Sequence, residues 1–181
     1  MGGVYSIQIG NIVRNLPVVK INDNLSIASF VMLGDTELVL VCAEKLYERI
    51  KEIDFDIMMG AEAKAIPLLQ VLAMKADCNR YVICRKQKKA YTKEIIKSEV
   101  DSITTDKTQK LVLDKNDIDR IRNKKILLVD DVISTGSTIR SMEDLVEKAE
   151  GEVVGKVAVL KEGDLYEEDF IYLKDLPIFD N

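Results

Sequence analysis

The chain has 181 residues, 47% apolar and 31% charged, with a formal net charge of −5 and no histidine. That length suits one domain with a real buried core, and the acidic balance argues against sequence-independent nucleic-acid binding. Without imidazole, Ser-His-Asp and Cys-His catalysis and histidine-ligated metal sites are excluded. The three cysteines, Cys42, Cys78 and Cys84, lack metal-ligand spacing and read as small buried apolar residues in a reducing compartment. No apolar run approaches the ~20 residues that cross a bilayer, and Met1–Tyr5 lacks a signal-peptide pattern. A cytoplasmic protein with no membrane and no nucleic-acid partner is expected.

In chain order, Tyr5–Val13, Pro17–Ile21 and Ile27–Leu33 read as extended pieces, the last ending at the turn Gly34-Asp35. Leu38, Val41, Cys42, Leu46 and Ile50 recur at near-helical spacing, which predicts an amphipathic helix over Glu37–Lys51. Asp56–Met59 reads as a short strand ending at Gly60, Ala65–Lys75 as a buried helix, and Arg80–Cys84 as a second strand. Ile95–Thr105 and Lys110–Leu113 read as a strand pair. Lys125–Asp130 is an unbroken apolar strand, the pattern of one buried on both faces. Ser137–Glu150 follows as a helix with Gly151 as its stop, then Val153–Leu160 as a strand, with Phe170–Leu173 and Pro177–Phe179 as weaker strand candidates. Strands alternating with helices predict an α/β fold with a doubly wound parallel sheet. Ligands of such sheets sit at the carboxyl ends of the strands.

One such end carries chemistry. Ile126–Val129 runs into Asp130-Asp131, then Val132-Ile133-Ser134-Thr135-Gly136-Ser137-Thr138 at the start of a helix. A helix N-terminus offers unpaired N–H groups and a positive dipole end, so Ser134, Thr135, Gly136, Ser137 and Thr138 suit a phosphate. The adjacent carboxylates suit the hydroxyls of a vicinal diol and a hard cation nearby. Phosphate donors beside diol acceptors describe a ribose 5-phosphate. The loop is not a Walker A motif, because the Gly-Lys-Ser/Thr ending is missing.

The stretch Ile126–Thr138 resembles the signature of type I phosphoribosyltransferases, which bind phosphoribosyl pyrophosphate (PRPP). The resemblance is nearest to the adenine and xanthine enzymes, and implies a single domain over residues 1–181 with a small hood (1–36) and a mobile lid hairpin (91–113). Met58–Ala65 resembles the pyrophosphate loop Gly-x-Glu-x-Arg-Gly of adenine enzymes. By that resemblance Ala61, Glu62, Ala63 and Lys64 receive pyrophosphate, with Lys64 in place of the arginine and Ala65 in place of the following glycine. Lysine keeps the charge and loses the planar fork.

Cys84–Tyr91 resembles the Arg-Lys-x-x-Lys region of the same enzymes. It implies that Arg85, Lys86 and Lys88 neutralise pyrophosphate, with Lys88 among the catalytic residues beside Asp130 and Asp131, and it implies a homodimer. Mg²⁺ is expected as the cofactor, carried by PRPP near Asp130 and Asp131. The implied reaction is phosphoribosyl transfer from PRPP to a purine base in purine salvage. Ser134 stands where hypoxanthine-guanine enzymes carry an aspartate and adenine enzymes a small residue, which favours adenine. Thr104-Thr105 stands where adenine enzymes carry a Glu-Tyr pair, which keeps hypoxanthine and xanthine open. Arg14–Lys20, the counterpart of part of the hood, holds no aromatic to stack on a base. A non-catalytic PRPP-binding regulator of the same fold is the alternative; purine repressors of that type carry a helix-turn-helix ahead of the fold, whereas the leading segment here reads as strands.

Overall fold

The apolar run Ile126–Val129 has no exposed side chain. In this computed structural model, which describes residues 3–87, 95–98 and 111–180, Leu127 and Val129 enter one apolar cluster and Ile126 and Leu128 a second. A two-residue period sends alternate side chains to opposite faces, so both faces must be covered. Each such aliphatic side chain contributes about 1.5–3 kcal/mol by leaving water.

The elements are β1 (Val4–Ile9), β2 (Ile12–Lys20), β3 (Leu25–Ala28), α1 (Thr36–Ile50), β4 (Ile57–Ala61), α2 (Ile66–Lys75), β5 (Tyr81–Cys84), β6 (Ile95–Lys97), β7 (Val112–Asp114), α3 (Lys115–Ile121), β8 (Lys125–Ile133), α4 (Ser137–Lys148), β9 (Glu152–Glu162), β10 (Ile171–Leu176) and β11 (Ile178–Asp180). The main sheet has the order β10-β9-β8-β4-β5, and every neighbouring pair is parallel. Side chains of α1 and α2 fill the cluster on one face, and those of α3 and α4 fill the other. This is the doubly wound α/β sheet expected from the alternation. From β4 the chain winds outward to β5, then returns to lay β8 on the other side of β4. The crevice between the carboxyl ends of β4 and β8 is therefore the topological switch point.

A smaller antiparallel sheet, order β1-β2-β3-β11, packs its apolar side chains into the α1 and α2 cluster. Two expectations change here. Tyr5–Val13 is not one strand, because the chain turns at Gly10-Asn11 and Ile9 pairs with Ile12. Ile27–Leu33 is paired as a strand only as far as Ala28, and the small sheet is completed by β11 from the far end of the chain. Asp35 caps α1 by accepting from Leu38 N–H at 3.0 Å, and Arg14 on β2 grips the same carboxylate at 2.6 and 3.0 Å. The guanidinium foremost, and the Leu38 amide next, hold the Asp35 carboxyl below its usual range.

Helix α3 was not expected; it is short and begins at Asp114, whose carboxylate accepts from Asp117 N–H at 3.2 Å. Strands β6 and β7 pair antiparallel. Lys88, Tyr91 and Thr104-Thr105 lie outside the described residues. Gly151 is not the left-handed residue ending α4, since Glu150 takes that conformation at φ 60°. Gly151 is needed for packing instead, as a Cβ there would lie 2.6 Å from Ile121 Cγ2. Among the described residues no helix is long and apolar enough to cross a membrane.

Candidate active site

A cleft of about 290 Å³ opens at the switch point. Its floor comes from Ala61–Ala65 after β4 and from Asp130, Asp131, Val132, Ser134 and Thr138 at the end of β8. Lys86 after β5, Glu162 ending β9, Leu176 ending β10, and Ile27–Phe30 at and just beyond the end of β3 complete the walls. An adjoining hollow of about 90 Å³ is lined by Asp130 and by Val132–Ile139.

The acidic pair occupies the centre. Asp130 and Asp131 are 7% and 6% exposed, and Asp131 N–H donates to Asp130 Oδ1 at 2.9 Å. Asp131 Oδ2 is buried with no hydrogen-bond partner among the described residues. Burial first, and the neighbouring Asp131 charge second, push the Asp130 carboxyl well above its usual range, while the Lys64 ammonium pulls it back. Two carboxylates taken out of water side by side are costly until donors or a cation arrive. The orphaned Asp131 oxygen and the all-oxygen donor set fit a hard divalent cation. Among the described residues no cluster of three His, Cys, Asp or Glu side chains could hold a metal ion.

The hollow is built by the start of α4. Gly136 is the N-cap residue, with no side-chain cap bond of its own and no acidic residue in the first turn, so no carboxylate stands against the positive end of α4; Ser137 N–H donates to Thr135 Oγ1 at 3.4 Å. Gly136 sits at φ 75°, and its missing Cβ leaves room for Tyr166, whose Cδ2 would otherwise be 2.0 Å away. The loop is braced from behind: Arg140 donates to the Thr135 carbonyl at 2.7 Å and stacks over the Tyr166 ring at 5.0 Å. Lys156 donates to the Tyr166 hydroxyl at 2.9 Å and pairs with Glu168 and Glu143 at 2.6 and 3.0 Å.

The loop after β4 faces the acidic pair. The Glu62–Ala63 peptide is cis. Glu62 N–H is spent on the Cys84 carbonyl at 3.0 Å, and its carboxylate accepts from Lys86 N–H at 2.5 Å. Of the amides expected to face an anion, Glu62 is thus engaged in holding the two loops together, whereas Ala63 and Lys64 have no amide partner among the described residues.

Most of the expected residues come together. Ala61, Glu62, Ala63, Lys64, Lys86, Asp130, Asp131, Ser134 and Thr138 share the large cleft, and Thr135, Gly136 and Ser137 the hollow beside it. Arg85 does not line the cleft; its backbone bridges to Val112, and its charge is felt by Asp117 on α3. Lys88 lies outside the described residues. Sequence reading missed Phe30, Glu162 and Leu176. They are single residues at strand ends far apart in the chain, and only the rule that ligands meet strand ends points towards them.

Comparison with known proteins identifies the family. The phosphoribosyl transferase domain family matches residues 32–179. The adenine phosphoribosyltransferase of Pseudothermotoga lettingae is 31% identical over 124 residues, 68% of this chain and 69% of that protein. The hypoxanthine/guanine phosphoribosyltransferase of Methanothrix soehngenii is 36% identical over 115 residues, 64% of this chain and 57% of that protein. Among solved structures, the adenine phosphoribosyltransferase of Rhodothermus marinus superposes with a TM-score of 0.68 at 23% identity, covering 96% of this chain and 94% of that one. The enzyme of that name from Thermoanaerobacter pseudethanolicus gives 0.67 at 20% identity over 95% of each chain. With the motif at the end of β8, the cleft at the switch point and these matches in agreement, the chain belongs to the phosphoribosyl transferase domain family.

Proposed function

We propose that the protein transfers the 5-phosphoribosyl group of PRPP to a purine base, adenine being favoured, and releases pyrophosphate, as in purine salvage in the cytoplasm. The observation that carries this reading is the buried, under-bonded Asp130–Asp131 pair set between the start of α4 and the amides and cations of the Ala63–Lys64 and Lys86 loops. That order of groups matches a sugar diol flanked by a monophosphate on one side and a diphosphate on the other.

In the reaction a purine ring nitrogen forms a bond to the sugar C1 as the C1–O bond to pyrophosphate breaks. The electron pair of that bond leaves with pyrophosphate, and the proton displaced from the purine ring nitrogen passes to the pyrophosphate or to water. Asp130 and Asp131 accept the ribose hydroxyls, and their charge favours the cationic ring that develops between bond breaking and bond making. The amides opening α4, with Ser134, Thr135, Ser137 and Thr138, fix the 5'-phosphate. Lys64 and Lys86 stabilise the departing diphosphate. Arg85 would contribute at a distance, through the ladder that holds Lys86 in place. Mg²⁺ carried by PRPP would neutralise diphosphate charge beside Asp130 and Asp131. Fixing both ends of the donor is positioning catalysis, in which the reactants meet pre-oriented.

Residues 1–36 with β11 are proposed to cover the base, 91–113 to form the lid over a water-sensitive centre, and Lys88 to join the diphosphate cluster. A homodimer is proposed as well, and light scattering would read its mass. The test of function supplies PRPP, Mg²⁺ and each nucleobase separately and measures pyrophosphate. Release with a purine is expected, and Asp131→Asn should abolish it. An unchanged rate in that variant would place the chemistry elsewhere. PRPP binding without turnover on any base would favour the regulator.

A further inference from the structure

The cleft holds a charged group that the sugar, the phosphate and the diphosphate leave unused. Among the described residues four acidic ones line it: Glu62, Asp130, Asp131 and Glu162. Glu62 is tied to Lys86 N–H, and the aspartates form the central pair. The half-buried Glu162 carboxylate has no hydrogen bond or ion pair among the described residues. Its neighbour Lys161 is turned to Asp164 at 2.9 Å.

Topology puts Glu162 at the end of the cleft away from the diphosphate groups. Lys64 and Lys86 follow β4 and β5 on one side of β8, whereas Glu162 ends β9 on the other. Ile133 pairs with Lys161, so Glu162 comes level with Ser134. Its register partner on β10 is Leu176, and Gly163 N–H donates to the Leu176 carbonyl at 3.2 Å, which fixes the strand end. Around it the walls are apolar: Phe30, Ile27, Val132 and Leu176. Apolar walls with one convergent polar group are the make-up of a site for a flat heterocycle.

A carboxylate only accepts hydrogen bonds. At the purine 6-position an exocyclic amino group is a donor, while a carbonyl oxygen is an acceptor and faces a carboxylate with repulsion. We infer that Glu162 is a specificity-determining residue that selects 6-aminopurines over 6-oxopurines by accepting an N–H of the 6-amino group. The inference rests on the function proposed above and narrows its acceptor to the 6-aminopurines.

The test compares the full chain with Glu162→Gln, which keeps shape and adds a donor, using kcat/KM for adenine, guanine, hypoxanthine and xanthine. Wild type should favour adenine over the three 6-oxopurines. In Glu162→Gln that advantage should fall about ten- to a hundredfold, the range set by a hydrogen bond to a charged group, because the acceptor loses its charge and the amide N–H can serve the 6-carbonyl, with KM for PRPP unmoved. A structural role would instead lower all four bases together. An unchanged amino-to-oxo ratio, or a wild type that prefers guanine, hypoxanthine or xanthine, overturns the inference while leaving phosphoribosyl transfer intact. If no base turns over, the proposed function fails. Calorimetric binding of AMP against IMP to both proteins then reads the same amino-to-oxo ratio, and a ratio unmoved by Glu162→Gln overturns the role of Glu162.

Discussion

Replacing Gly136 with alanine should damage both the stability of the fold and its grip on phosphate. The added methyl would lie 2.0 Å from Tyr166 Cδ2, 2.5 Å from Cε2 and 2.9 Å from Cγ, all inside contact distance. Tyr166 cannot step aside cheaply, being 2% exposed, pinned through its hydroxyl by Lys156 and covered by Arg140. Holding alanine at φ 75° costs about 1–2 kcal/mol, and overpacking a closed site costs about 1–3 kcal/mol. Gly136→Ala should therefore lose about 2–5 kcal/mol of unfolding free energy, a large part of the ~5–15 kcal/mol of a typical domain. Relief by moving the loop would shift the first amides of α4, and a displacement of about 1 Å costs on the order of 100-fold in rate.

Urea unfolding and PRPP binding calorimetry read the two effects. Removing the ring in Gly136→Ala/Tyr166→Ala separates the causes: the overlap disappears and the φ cost stays, so the two changes should couple favourably by about 1–3 kcal/mol. A single Gly136→Ala within about 0.5 kcal/mol of wild type, with unaltered PRPP affinity, would refute the packing argument.

Other consequences are as direct. Asp35→Ala removes the α1 cap and should cost about 1–2 kcal/mol at pH 7. Because the folded state holds this carboxyl below its usual range, its contribution is present above the ordinary carboxyl pKa and fades as pH falls towards the lowered one; urea titrations of wild type and variant should converge in acid, and a constant gap would contradict this. Asp130→Asn should raise stability at pH 8 while cutting turnover about 100-fold or more. The folded state raises the Asp130 carboxyl, so its ionisation costs folding free energy above the raised pKa, and the gain should vanish below the ordinary carboxyl range. A destabilised Asp130→Asn at pH 8 would oppose that reading. Burial pushes the Cys42 thiol up to about 12 and the Cys84 thiol far up, whereas Cys78 is only partly covered. A thiol reagent should label Cys78 first and the other two only on unfolding, as mass spectrometry would show; equal labelling of Cys42 would count against its burial.

What was legible in the sequence was what is local. The strand through Ile126–Val129 could be read because double-sided burial leaves an unbroken apolar run. The loop after it could be read because its hydroxyls, glycine and paired acids are contiguous. Helix α1 announced itself by spacing, and its cap Asp35 stands directly before it. The hidden parts depend on distance along the chain. Phe30, Glu162 and Leu176 meet only because β3, β9 and β10 end at one place, and no local pattern marks a residue for such a meeting. Arg85 and Lys86 looked equivalent in a row of cations, yet Lys86 lines the cleft and Arg85 serves the β7 and α3 side. The Gly10-Asn11 turn was passed over because apolar residues continue on both sides of it, and α3 because seven residues give too little periodicity to register.

The central claim is that a phosphoribosyl group passes through this cleft to a purine. The most direct measurement incubates the protein with PRPP, Mg²⁺ and adenine and identifies the products by mass spectrometry. Adenosine 5'-monophosphate and pyrophosphate are expected in equal amounts, and neither with Asp131→Asn. PRPP consumed to ribose 5-phosphate and pyrophosphate without a nucleotide, or left intact with every purine, would contradict the claim.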